Sequence, residues 1–331
     1  MRVASCHARS LLVVLTFAFV VAAPGDASSE PRAAALCPAV PSCPSQALDT
    51  GPRRPFSRAS SSIVTSLGSP RHRATDALVR DGATATLRAR FLYGPTHKSL
   101  EGEGVDVWLL RGCARWEKLG SAVTDEEGSA RYELASGALG PGLHRVRFVV
   151  AGDGSNVDAL VEVLPAAGRF FVTDVDGTIT TTETTEWGSV LKGTISDVHP
   201  DAARVANTLA ARGYRPLYLS ARPDWLVSRT RELLAHHGFP PGVVRVTPHD
   251  KGAWGAAAAE FKSSVLAELA AQGLAPAFGF GNKPSDTDAY ERAGIQPASH
   301  RIFYRLSDPH GGRRITTYTE LLPELGALPC P

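Results

Sequence analysis

The stretch FFVTDVDGTITTTE, residues 170 to 183, sets Asp174 and Asp176 one residue apart, after an apolar run and before a glycine and threonines. Side chains two apart on an extended chain point to the same side, so both carboxylates can face one reacting group. A carboxylate can attack phosphorus and form an aspartyl-phosphate, dividing one hard displacement into two. The second acid can then protonate the leaving alkoxide. Two acids alone more often end a strand than react. Ser220, Asn282 and Asp286 change the reading, because each follows or closes another apolar run. Several carboxylates would repel a phosphate, so the chemistry calls for a hard divalent cation, and Mg2+ suits carboxylate, carbonyl and water oxygens. A hydroxyl and an ammonium must hold the remaining phosphoryl oxygens.

The positioning elements are legible from about residue 168 to 328. RFFVTD reads as a buried strand, and PDAARVANTLAARG as a helix opened by Pro200 and closed by Gly213. The strand YRPLYLS follows, and PDWLVSRTRELLAHHG repeats the design between Pro223 and Gly238. VVRVT, the helix AWGAAAAEFKSSVLAELAAQG, APAFGFG, the helix SDTDAYERAG and RIFYR complete the alternation. Strands alternating with helices predict an α/β domain with a doubly wound parallel sheet, whose ligand site lies beyond the carboxyl ends of its strands. Asp174 and Asp176 follow the first strand, Ser220 ends the second, and Asn282 with Asp286 follows the fourth, so all converge on one rim.

Residues 74–166 have another rhythm. ATLRARFLY, GVDVWLLRG, WEKLGSAVT, SARYELA, GLHRVRFVV and VDALVEVLP alternate with period two between turns such as TDEEG, which predicts an antiparallel β-sandwich of immunoglobulin type. Asp125, Glu126 and Glu127 could bind a cation, but they stand where a turn favours acids. Residues 30–73, rich in Pro, Ser and Arg, read as a linker. Its arginines 53, 54, 58, 71 and 73 suit a solvated tether or an anionic surface.

At 331 residues, 43% hydrophobic and a net charge of +2, the chain supports packed cores and gives no sign of a nucleic-acid footprint. Arg2 and Arg9 precede an apolar run from Leu11 to Ala23, shorter than the roughly 20 residues of a membrane span, so residues 1–29 are expected to be a signal peptide. The expectation is an exported protein, periplasmic or secreted, with no transmembrane segment after cleavage. Cys37, Cys43, Cys113 and Cys330 then remain where disulfides form, with three pairings open and a tie from Cys330 to the Cys37/Cys43 segment expected.

DVDGT, the serine of YLSAR, a lysine in the third helix and GNKPSD resemble, in order, the four motifs of the haloacid-dehalogenase phosphatase superfamily. More closely, DVDGTIT, HPDAARVANTLAARGYRPLYLSARP, EFK and FGNKPSDTDAY with RIF look like the catalytic domain of lipin-type phosphatidate phosphatases and the related C-terminal domain of membrane-associated phosphatidylinositol transfer proteins. That resemblance implies Asp174 as nucleophile and Asp176 as acid and base, with its backbone carbonyl on the metal. It implies Asp174, Asp286 and Asn282 at Mg2+ with Asp176, Ser220 on the phosphoryl group, Thr178 ordering the loop and Lys262 as the cationic clamp, with Lys251 and Lys283 as rivals. Arg222 suits a second phosphate contact or an ion pair. His199 suits the family pattern or helix-entry packing. Helices and strands fill the intervals between these motifs, leaving no room for the cap that encloses small metabolites in many relatives. An open site suits a bulky or membrane-held ester, and the insert TTETTEWGSVLKG could act as a flap through Trp187 or pack it away.

Three functions follow. The first is a Mg2+-dependent phosphatase acting on a lipid phosphate monoester, phosphatidate foremost, at a membrane surface. The second is a non-catalytic phosphatidate- or phosphoinositide-binding module, as the resemblance implies for the transfer proteins, which look to lack the first aspartate that this chain keeps. The third is an exported phosphatase for a non-lipid ester.

Overall fold

In the computed structural model, residue 37, residues 46–182 and residues 195–330 are described. The expected export signal, Cys43 and the Trp187 insert lie outside them.

Alternation builds the first layer pair. One sheet has the order β1 (Arg73–Thr75), β3 (Ala85–Arg90), β8 (Ser129–Leu134). The other has the order β2 (Ala77–Arg80), β10 (Asn156–Leu164), β9 (Gly142–Val150), β6 (Gly104–Arg111), β7 (Arg115–Val123). A short hairpin, β4 (Leu92–Tyr93) with β5 (Lys98–Ser99), lies beside them. Leu87, Ala89, Val105, Val107, Val146 and Phe148 meet in one apolar cluster, since period two sends every second side chain inward. The sandwich departs from the all-antiparallel expectation at one place, where β2 pairs parallel to β10. Such pairing joins residues far apart in sequence, and alternation within a strand carries no information about it.

The segment expected to be a linker is structured over residues 46–72. Helix α1 spans Ala59–Ser66, and Phe56 packs against the sandwich core. Glu103, 2% exposed, holds the segment by accepting from Ser57 N, Arg58 N and the Ser61 hydroxyl. Arg54 and Arg58 pair with Asp106 and Glu101. The sequence ASSSIVTS has weak helix propensity, so this tertiary anchor supplies what local preference lacks.

The second domain contains a six-stranded parallel sheet in the order β13 (Val243–Thr247), β12 (Tyr214–Pro223), β11 (Arg169–Thr173), β14 (Phe278–Gly281), β15 (Arg301–Tyr304), β16 (Arg313–Ile315). Five strands were expected; β16 is the sixth, three residues long with two of them arginine, too short to show a period. Helices α2 (Ala202–Ala211), α3 (Val227–His236), α4 (Gly255–Ala271), α5 (Pro284–Arg292) and α6 (Leu322–Gly326) accompany the sheet. Two apolar clusters result, one containing Leu209 of α2 and the other Leu266 of α4. Strand order reverses at β11, where the chain first builds outward to β13 and then returns through β14. Such a reversal opens a crevice at the carboxyl ends of the central strands.

Cys37 and Cys330 form a disulfide, within the pairing expected, and Cys113 is disulfide-bonded as well. Among the described residues no helix is long and apolar enough to cross a membrane.

A buried carboxylate fastens the sandwich to the parallel sheet. Asp76 is 1% exposed and accepts from Leu160 N of β10 at 2.7 Å, from Val244 N of β13 at 2.9 Å, and from the Arg231 guanidinium. Replacing Asp76 with Ala takes the acceptor from the buried Val244 N–H and the half-buried Leu160 N–H, and leaves the Arg231 guanidinium only Asp158 O. The expected loss is about 3–5 kcal/mol, read as a lower denaturation midpoint of the full chain. A midpoint within experimental error of the parent would show that the junction is held elsewhere.

Candidate active site

The crevice is lined from the strand ends inward. Asp174 directly follows β11, and its N–H donates to Phe280 O of β14 at 2.9 Å, which fixes the loop to the neighbouring strand. Val175, fully buried in the apolar cluster, points to the core, so Asp174 and Asp176 turn the other way. The next turn needs Gly177, whose φ of 75° lies where L side chains are strained. Thr178 then returns to the site, its carbonyl accepting from the Tyr318 hydroxyl at 2.8 Å. Its own hydroxyl stands 2.9 Å from Asp174 Oδ2 and 3.0 Å from Asn282 Oδ1.

Lys262 reaches the same point from the middle of α4. It is 3% exposed, and its ammonium donates to Asp174 Oδ1 at 2.6 Å and to Asp286 Oδ1 at 2.5 Å. Of its rivals, Lys251 is exposed and Lys283 is half-buried. Asp286, fully buried near the start of α5, also accepts from Asn282 N and Lys283 N at 3.0 and 3.1 Å through Oδ2. Its two oxygens therefore have separate tasks, one toward Lys262 and one closing the turn.

Gly281 makes room for this arrangement, because a Cβ there would stand 2.4 Å from Asp286 Cβ. Gly281→Ala must push Asp286 off both sets of partners. We expect a loss of about 1–3 kcal/mol, the range for overpacking a core, and a lower thermal midpoint. An unchanged midpoint would mean that Asp286 is not held as tightly as its contacts imply.

Asp176 lies on the other flank. Arg222 grips it with Nε at 3.0 Å from both oxygens and Nη2 at 2.8 Å from Oδ1, while Ser220 Oγ donates to Oδ2 at 3.0 Å. Arg222 is 3% exposed and its Nη1 donates to Thr230 Oγ1 at 3.1 Å, so α3 orients the guanidinium. Of the two roles open to Arg222, the structure presents the ion pair. Ser220 does not end its strand: β12 runs on to Pro223 with a register irregularity between the two, which brings Ser220 and Arg222 to the same carboxylate. Nothing in the local sequence signals Thr230 or Tyr318 as supports, since each acts across the fold.

Charge is nearly balanced, with Asp174, Asp176 and Asp286 facing Lys262 and Arg222. Burial is the largest influence on Asp174; opposed by Lys262 and reinforced by Asp286 and Asp176, it pushes the carboxyl up to about 6. Burial acting alone would lower Lys262, but Asp174 and Asp286 outweigh it and hold the ammonium above its ordinary value. A raised carboxyl favours the folded state below its unfolded value near 3.8, and that contribution is lost as pH rises through about 6. We expect the metal-free protein to show an Asp174 carboxyl titrating near 6 by 13C NMR; a midpoint below 4 would contradict it.

Asp174 and Asp286 each turn one oxygen to the Lys262 ammonium, and the Asn282 amide oxygen stands against the Thr178 hydroxyl; carboxylate and amide oxygens are of the donor class that Mg2+ takes. No group of three or more His, Cys, Asp or Glu suited to a metal occurs among the described residues. The Asp176 carboxylate faces Arg222 instead. Asp125 accepts from Glu127 N and Ser129 N, so it serves its turn. His199 packs on Tyr304 with the rings tilted by 32° and its Nε2 3.3 Å from Gly177 O, a packing position behind the loop.

The family model for the PITM 1-3 β-sandwich domain matches residues 70–163, and that for the PITM 1-3 LNS2 domain matches residues 171–304. "Protein retinal degeneration B" of Drosophila melanogaster is 31% identical over 197 residues, covering 58% of this chain and 15% of that protein. "Membrane-associated phosphatidylinositol transfer protein 1" of Rattus norvegicus is 29% identical over 261 residues, covering 77% of this chain and 20% of that protein. The chain thus spans a small part of the length of these relatives.

Proposed function

From two adjoining domain matches that point to one family, PITM 1-3, we propose that this chain is a phosphatase of haloacid-dehalogenase type, acting on a lipid phosphate monoester such as phosphatidate. A lipid-related role accords with the names of its relatives, which are phosphatidylinositol transfer proteins. The observation that carries the catalytic reading is Asp174: a buried carboxylate at the sheet's reversal point, with Lys262 on one oxygen and Thr178 on the other.

In the proposed reaction an Asp174 oxygen attacks phosphorus, an acyl-phosphate bond forms, and the ester P–O bond breaks toward the alcohol. The departing oxygen needs a proton, which Asp176 would give after taking one up from solvent. Arg222 and Ser220 hold Asp176 before substrate arrives. An incoming phosphoryl group offers both donors competing acceptors, since arginine pairs with phosphate as well as with carboxylate. Their transfer would anchor the phosphate and free Asp176 to carry a proton. Water then attacks the acyl-phosphate with Asp176 as base, releasing inorganic phosphate and restoring Asp174. Mg2+ would be held by Asp174 and Asp286 with the Asn282 amide oxygen and the Asp176 backbone carbonyl, and it would neutralise phosphoryl charge. Lys262 holds the two carboxylates at one point throughout.

One observation favours the second reading, a binding module without turnover. The three-contact grip of Arg222 occupies both Asp176 oxygens, the atoms that would have to carry a proton to a leaving group. Phosphate release from phosphatidate vesicles and from soluble esters, with and without Mg2+, separates the two. Release that needs Mg2+ supports the phosphatase; tight phosphatidate binding without release supports the module. Faster turnover of soluble esters would retain the mechanism and overturn the lipid substrate. The Cys37–Cys330 disulfide suits an oxidising compartment, in keeping with the proposed export.

A further inference from the structure

The outer face of the three-stranded sheet is rich in arginine. Register sets Arg88 of β3 directly opposite Arg131 of β8, and Arg73 of β1 opposite Arg90 of β3. Like charges directly opposed across strands destabilise a sheet. Arg88 and Arg131 are both exposed, and neither has a hydrogen-bond or ion-pair partner among the described residues.

These side chains line a groove of about 460 Å³ between the sandwich and the α/β domain, whose other wall includes Arg245 and Phe261. Five arginines line the groove against two carboxylates, Glu127 and Asp224. Asp224 is already occupied by Arg73 at 2.6 Å, and Arg245 pairs with Glu268 at 3.0 Å. Arg73 is 4% exposed, yet its Nε lacks a hydrogen-bond partner among the described residues. A buried guanidinium with an idle donor, beside two opposed unpaired arginines, presents donors in excess of acceptors.

We propose that this groove is a second anion site, distinct from the Asp174 crevice, which takes a phosphate-bearing group of two or more negative charges. Guanidinium pairs match phosphate oxygens in twos, and an anion between Arg88 and Arg131 converts a repulsion into two attractions. The phosphate can come from a free compound or from a lipid headgroup, which the two arms of the test distinguish.

The full chain is titrated with inorganic pyrophosphate by calorimetry at low and high salt, and sedimented with phosphatidylcholine vesicles with and without phosphatidate. The same measurements are made on Arg88→Gln/Arg131→Gln and on Arg88→Lys/Arg131→Lys. Pyrophosphate should bind the parent and weaken as salt rises. The glutamine variant should lose about tenfold or more in affinity, and the lysine variant should retain part of it. The melting temperature of the glutamine variant without ligand should not fall, and pyrophosphate should no longer raise it. Loss confined to pyrophosphate indicates a free phosphate compound; parallel loss of vesicle binding indicates a headgroup. Binding that is equal in parent and glutamine variant, or absent from the parent in both arms, overturns the proposal. Phosphate release at the Asp174 crevice is read separately, so failure of one site leaves the other standing.

Discussion

Asp174→Asn is expected to abolish phosphate release, by at least about 10⁴-fold, while leaving the fold intact. The amide cannot supply the attacking anion, so no acyl-phosphate can form. It can still accept from Lys262 or Thr178, and Asp286 remains as counter-charge for the ammonium 2.5 Å away. Structural damage should therefore be small, and the substituted protein should melt close to the parent. Under the binding-module reading the same substitution leaves nothing to lose in turnover. Residual release within tenfold of the parent, from a protein free of contaminating phosphatase, would remove Asp174 from the nucleophile role.

Lys262→Met should be the most destabilising single change in the site. The ammonium joins two carboxylates that are 3% and 0% exposed, and methionine fills much of its volume without its charge. Breaking a buried pair by removing one partner costs about 3–5 kcal/mol, because the other charge stays buried. Two carboxylates are stranded here, so the upper part of that range is expected. The deficit should also depend on pH. Without Lys262 the Asp174 carboxyl rises further above its unfolded value, so its contribution persists at low pH and is lost as pH climbs through and beyond about 6. Urea midpoints at pH 5 and pH 8 should separate more for Lys262→Met than for the parent. Lys262→Met/Asp286→Asn should recover part of the loss; equal midpoints for single and double variants would refute the shared-ammonium account.

Much of this site was legible because strand ends carry positional meaning. DVDGT after RFFVT, and GNKPSD after APAFGFG, mark adjacent strands of the sheet once a doubly wound topology is granted. Lys262 was harder, since a lysine in an alanine-rich helix ordinarily meets solvent, and only the turn of α4 toward the crevice buries it. An ion pair for Arg222 was legible as one of two options, but neither its partner Asp176 nor its burial was. Choosing between them needs the irregular register after Ser220 and the Thr230 hydroxyl, both tertiary facts. Helix α1 and strands β1 and β2 were hidden for another reason. They are short segments near a Pro- and Arg-rich stretch, and their order comes from Glu103 and Asp76 across the fold rather than from any period of their own.

The Cys37–Cys330 bond spans a sequence separation of 293 and turns both domains into a single covalent ring. A cut in any loop of that ring opens it without dividing it, so a nicked chain stays one molecule until the bond is reduced. Tension applied to the two ends would run through the sulfur atoms and bypass the domains. In a force-extension trace the oxidised chain should show no domain unfolding, and added reductant should release its length.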